Sequence, residues 1–218
     1  SLGFIAIHVF ISSTPLRAKL VEQLGLIAYL AGFSVISAIA IGGMIWGYMA
    51  AEQIELWQLP GALWIAAVIA IPLGLWLVAL GVGTPNPTTV GQEAVIQSEM
   101  PARGIVRVTR HPFMVGFAVW ALGHMLVNGD VASQIFFGMF FVQAATGPWL
   151  IDRKKAVAFA ERWPAFAAVT STIPFAAILA GRNQFRADEI GWLRLLISLL
   201  AVGLFVYFHG SLFGAPLL

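Results

Sequence analysis

Apolar residues gather in six long stretches, at about residues 2–12, 24–50, 61–82, 112–127, 131–151 and 190–212, with short polar or turn-rich gaps between them. About 20 apolar residues cross a bilayer as a helix, so the pattern predicts an all-α, polytopic membrane bundle of six transmembrane helices in a single domain, 1–218. The first stretch is short for a span, and a helix continuing to Pro15 would lengthen it. No basic region precedes it, which argues against a cleaved signal peptide. The numbering opens at Ser1 without a methionine, as in a processed or longer chain. The second stretch is long enough to cross with tilt. Thr84-Pro85-Asn86-Pro87 closes the third as a strong turn signal. Pro112 opens the fourth, in the first helical turn where its missing N–H costs nothing. Residues 152–189 are too long and too apolar for a plain connection. Within them, 156–166 reads as an interfacial amphipathic helix, and 169–180, with Pro174, as a shallow or re-entrant piece.

Charge adds an orientation. The chain carries 12 Lys and Arg, and all of them fall in three alternate gaps or at their edges. Arg17 and Lys19 lie between segments one and two, and Arg103, Arg107 and Arg110 between three and four. The rest lie between five and six, ending with Arg194 just inside the sixth. The other gaps hold Glu52, Glu55 and Asp130 and nothing basic. Positive loops stay cytoplasmic, so both termini are expected outside, in the periplasm of a bacterial inner membrane. The composition agrees, with 60% hydrophobic residues, 10% charged and a mean hydropathy of +0.88. A soluble domain carries about a quarter charged residues. The pI near 9.3 reflects these juxtamembrane loops and does not point to nucleic acid. The absence of cysteine excludes disulfides, thiolate-ligated zinc, iron–sulfur clusters and cysteine nucleophiles. No phosphate loop, dinucleotide fingerprint, nucleophile elbow or zinc-protease motif is present.

The candidate chemistry lies in four histidines, His8, His111, His124 and His209. A histidine on a membrane helix is costly unless it faces the bundle interior and has a partner. Measured from the basic gaps, His124 sits roughly 21 Å, His209 roughly 22 Å and His8 roughly 13 Å across the membrane. His111 lies at the basic edge. Two neutral imidazoles from different helices suit a b-type haem, which needs no covalent attachment. Phe10, Trp46, Phe117, Trp120, Phe136 and Phe205 are available as pocket walls. The bland alternative is that the histidines bond backbone carbonyls, or each other, in a packed interior. Arg110-His111-Pro112 at the mouth of a helix could bind an anion such as a phosphate, a propionate or a lipid head, or could simply anchor the segment. Asp130 reads as a helix N-cap, Gln143 and Thr146 as sources of helix-to-helix hydrogen bonds, and Asp152 as an interfacial charge.

Thr109-Arg110-His111-Pro112 and Trp120-Ala121-Leu122-Gly123-His124-Met125-Leu126-Val127-Asn128-Gly129-Asp130 together resemble the central signature of the NnrU membrane proteins. His8 with Pro15-Leu16-Arg17, Thr170-Ser171-Thr172-Ile173-Pro174-Phe175 before Gly181-Arg182, and His209-Gly210-Ser211-Leu212-Phe213-Gly214-Ala215-Pro216 agree in order. That family is similar to 15-cis-ζ-carotene isomerase, a haem b membrane enzyme. The resemblance implies haem b with His8 and His124 as axial metal ligands. By depth, His209 is the expected reserve ligand, and Arg110 and His111, at the mouth of segment four, are expected to form an inner-face anion site and not an iron site. The resemblance also implies redox-linked membrane chemistry, either nitrogen-oxide metabolism or cis–trans isomerisation of a polyene. The partners implied are the lipid bilayer, a hydrophobic polyene or quinone-like ligand and a redox partner. A second resemblance, through residues 104–114, Glu161-Arg162-Trp163-Pro164-Ala165-Phe166 and Pro174-Phe175, points to isoprenylcysteine and phospholipid methyltransferases. Those enzymes use S-adenosylmethionine at the inner face; Met114 stands where they have Tyr. A non-catalytic subunit or lipid-binding scaffold is the third reading.

Overall fold

The computed structural model describes residues 2–11 and 16–214. The expected continuation of segment one to Pro15 and the terminal Ala215-Pro216 lie outside the described residues, as does the Phe10 side chain. The described residues are mostly helical, with irregular connections such as 51–60 and 84–92. Leu2–Ala6 (α1) runs into a wider π-type turn at Ile7–Ile11. Then follow α2 (Leu16–Leu24), α3 (Leu26–Ala50), α4 (Gly61–Gly83), α5 (Ile105–Val108) and α6 (Pro112–Val127). The remainder is α7 (Val131–Ala158), α8 (Trp163–Val169), α9 (Ala176–Leu179) and α10 (Trp192–Phe213). Four of these, α3, α4, α7 and α10, are long and apolar enough to cross a membrane. The α6 helix is equally apolar but only 16 residues long.

Helices α4, α6 and α7 form the centre. The first two approach at backbone distance because glycines seven residues apart line the contact: Gly74 of α4 faces Gly116 of α6, Gly81 of α4 lies against Pro112 and Phe113, and Gly123 of α6 against Ala67 and Ile71. A Cβ on Gly116 would lie 2.5 Å from the Gly74 carbonyl oxygen and 2.8 Å from the Val78 nitrogen. Close approach of this kind lets dispersion replace the hydrophobic drive that lipid cannot supply. The outer helices α3 and α10 are held at few points. Only Tyr29 and Met44 of α3 and Ser198 of α10 are buried, the last accepting a 2.9 Å hydrogen bond from Trp76 Nε1. Trp46 is 75% exposed and Ile27 85%. So large an apolar surface is stable only against hydrocarbon. The chain is a membrane protein.

Several elements differ from their sequence reading. Segment two begins at Leu26, because Gly25 (φ 80°) separates α2 from α3. No interfacial helix covers 156–166: α7 continues to Ala158, and α8 starts afresh at Trp163, with Pro164 in its first turn. Residues 169–180 are a loop with a left-handed turn at Phe175 (φ 63°) and the single helical turn of α9. Asp130 caps α7 as expected, its Oδ1 accepting from Ser133 N at 2.9 Å. Thr146 bonds the Val142 carbonyl of its own helix at 2.7 Å and reaches no neighbour.

Candidate functional site

The Thr109-Arg110-His111-Pro112 segment joins α5 to α6 and is bonded on all sides. Thr109 Oγ1 donates to the Thr172 carbonyl (2.7 Å), and Arg110 N to the Ser171 carbonyl (2.9 Å). The Arg110 carbonyl accepts from Asn86 Nδ2 (3.0 Å) and Thr88 Oγ1 (2.9 Å). Asp152, expected as a plain interfacial charge, is the counter-ion of the motif. Its Oδ2 takes two N–H donors from the Arg110 guanidinium, at 3.0 and 2.7 Å, and its Oδ1 takes His111 Nε2–H at 2.7 Å. The anion at this basic edge is therefore the chain's own carboxylate. His111 is 2% exposed, and its Nδ1 is buried without a hydrogen-bond partner among the described residues. A second ion pair stands nearby, Arg107 to Glu189, with the Glu189 oxygens at 2.7 and 2.8 Å from guanidinium nitrogens. The Arg107 hydrogen bonds hold the Glu189 carboxyl down at about 2.

The other three histidines belong to an aromatic cluster toward the opposite end. His124 is 8% exposed, and its Nδ1 donates to the Trp120 carbonyl at 3.0 Å. Its ring stacks on Phe137 (centroids 4.5 Å, 22°) and tilts against Trp120 (4.8 Å). The His209 ring lies 6.4 Å from it. His8 repeats the arrangement in the π-type turn after α1, with Nδ1 donating to the Phe4 carbonyl (2.9 Å) and its ring 4.2 Å from Phe4 and 5.1 Å from Phe33. Phe4 contacts Phe140, which contacts Trp120, and Met44, Phe117 and Phe136 complete the cluster. The structure thus sets His209 beside His124 and links His8 to them through the Phe4 and Phe140 rings.

One signal in the chain went unread: Phe4, Trp120 and Phe205 each precede a histidine by four residues. That spacing stacks ring on ring along a helix face. Of the proposed walls, Trp46 points outward, 75% exposed.

The donor set can be tested against a haem. Histidines that bind metal donate their second ring N–H to a carbonyl or carboxylate. His8 and His124 both do so through Nδ1, and an imidazole of that tautomer carries its lone pair on Nε2. Among the described residues no three His, Asp or Glu side chains cluster as a metal cage. A metal held here would have to bring its own equatorial ligands, as porphyrin does. In donor chemistry the two imidazoles suit the group, and the Phe4, Phe140 and Trp120 rings lie between them.

Comparison with known proteins places this architecture. The chain is 33% identical over 141 residues to the chloroplastic 15-cis-zeta-carotene isomerase of Arabidopsis thaliana, covering 62% of this chain and 36% of that protein. The Zea mays protein of the same name is 31% identical over 135 residues, 62% of this chain and 37% of its own. The matched part is thus little more than a third of each relative's length. No solved structure matches. The sequence also matches the family described as NnrU protein over residues 1–217. This chain belongs to the NnrU family.

Proposed function

We propose that the protein isomerises a cis double bond of a linear polyene inside the bilayer, with haem b held by His8 and His124. The carrying observation is the repeated aromatic-to-histidine pair, in which the Phe4 and Trp120 carbonyls orient the two imidazoles for coordination through Nε2. Likeness to proteins named 15-cis-zeta-carotene isomerase supports the substrate class. When bound, haem supplies a redox-tunable Lewis acid. The rest falls to the side chains. Phe137 and Trp120 fix the His124 ring, and His209 is the reserve ligand beside it. Phe117 is sandwiched between Phe113 and Trp120 and Phe140 is buried, so Phe136, at the edge of the cluster, is the ring open to a flat conjugated chain, which stacks on aromatic rings. Lateral access is available between α3 and α7, where a groove of about 260 Å³ is lined by Gly43, Gly47, Tyr48 and Phe136. A cis–trans change exchanges no atoms, so the cluster has only to hold the chain, permit rotation and exclude water.

The test combines spectrum and product. Purified protein, expressed with ample haem supply, is expected to show a Soret band that changes on reduction. In cells that accumulate a 15-cis polyene it should yield the trans isomer, and His124→Ala should lose both. An unchanged polyene together with no Soret band would sink the proposal.

A further inference from the structure

At the basic end, far from the histidine cluster, a cavity of about 530 Å³ lies between residues 96–102, α8 and residues 182–183. Its floor is apolar, with Ile96 and Phe166 each 2% exposed. Arg162, Arg182, Glu99 and Glu161 line it as well. None of these four takes part in an ion pair among the described residues. Arg182 Nη1 donates to the Ala168 and Thr170 carbonyls (2.6 and 3.3 Å), and Arg162 Nη1 to the Gln97 carbonyl (3.4 Å). Main-chain carbonyls hold a guanidinium in place without cancelling its charge. Arg107, which also lines the cavity, is already neutralised by Glu189.

The cavity mouth therefore presents two cations and two anions, all exposed to solvent and none in an ion pair among the described residues, above an apolar floor. A purely anionic ligand would be opposed by Glu99 and Glu161, and a purely cationic one by the arginines. A zwitterion carrying both a phosphate and a primary ammonium satisfies both pairs. Guanidinium groups recognise phosphate oxygens through forked N–H donors. An ammonium offers three N–H donors to carboxylates, which a quaternary choline cannot. We propose that this cavity binds the phosphoethanolamine headgroup of a bilayer lipid, with its chains directed into the leaflet at the basic end. This proposal does not depend on the isomerase reading.

The experiment uses the full chain in nanodiscs of mixed lipid, with retained lipid read by native mass spectrometry. Wild-type protein is expected to retain phosphatidylethanolamine over phosphatidylcholine by about tenfold, the worth of one charge-assisted hydrogen bond. Arg162→Gln/Arg182→Gln should abolish that preference. Glu99→Gln/Glu161→Gln should shift it toward phosphatidylglycerol. If one double variant fails to fold, the other still decides. Equal retention of the three lipids by wild type, or an unchanged preference in the folded variants, overturns the proposal. So does tighter binding of soluble phosphoethanolamine or of S-adenosylmethionine than of the lipid, since the cavity would then serve a soluble zwitterion.

Discussion

At Asp152 three N–H donors from Arg110 and His111 converge on one carboxylate, and all three side chains are at most 20% exposed. Removing one partner of such a network strands the remaining charge in a poor solvent, at a cost of about 3–5 kcal/mol when fully buried. Partial exposure lowers that, so Asp152→Asn is expected to cost about 2–3 kcal/mol. Thermal unfolding in detergent should show a clear drop in Tm, and an unchanged midpoint would mean that the pairs contribute little. The histidines separate by the same logic. His111 is occupied by Asp152 at the basic edge, so His111→Ala should weaken the fold yet leave any haem spectrum in place. His124→Ala should remove or convert that spectrum. The opposite pattern would move the metal to the basic edge.

Among the elements, α4 and α6 have the least room. Gly116→Ala must push its methyl into the α4 backbone, and overpacking against atoms that cannot move costs typically about 1–3 kcal/mol. Gly43→Ala on α3 meets nothing within 4 Å and should leave stability unchanged. Equal melting of the two variants would argue that α4 and α6 do not touch. The connection before α10 responds to acid. Glu189 has an ordinary pKa of 4.5 and is held at about 2 when folded, chiefly by the Arg107 hydrogen bonds. A depressed carboxyl stabilises the fold fully above the unfolded value and loses that contribution as pH falls from about 4.5 toward 2. Wild type should thus lose stability across that window more steeply than Glu189→Gln, as read by melts at stepped pH.

For the whole molecule, the pattern of charge predicts sidedness. Arg107, Arg110 and Lys155 are all tied at one end, where the close of α7 meets the start of α6, while the acidic Glu55 and Asp130 lie together at the other through an antiparallel backbone bridge. The positive-inside rule predicts that the first end faces the cytoplasm. A cysteine at Val157, 84% exposed and on that side, should be inaccessible to an impermeant thiol reagent added to intact cells. Labelling from outside would reverse the orientation. Lys155 is a poorer probe because Glu93 holds its ammonium at 3.0 Å.

Much of the architecture follows from the one-dimensional pattern, because in lipid every backbone group must be bonded within its own helix. The ends of α4, the opening of α6 at Pro112 and the Asp130 cap could be read directly. So could the placing of basic residues on one side of the apolar runs. Partner choice could not be read, since it depends on which helix faces meet. Asp152 looked like one more interfacial charge until α7 brought it 41 residues back along the chain to His111. Nothing in the apolar run around Gly116 marks it as the point where α4 lies against α6. His124 could be placed by depth alone, but its neighbours Phe137 and His209 come from helices whose rotation no linear spacing specifies. Periodicity says which residues share a helix face, whereas only the packed bundle says what that face touches.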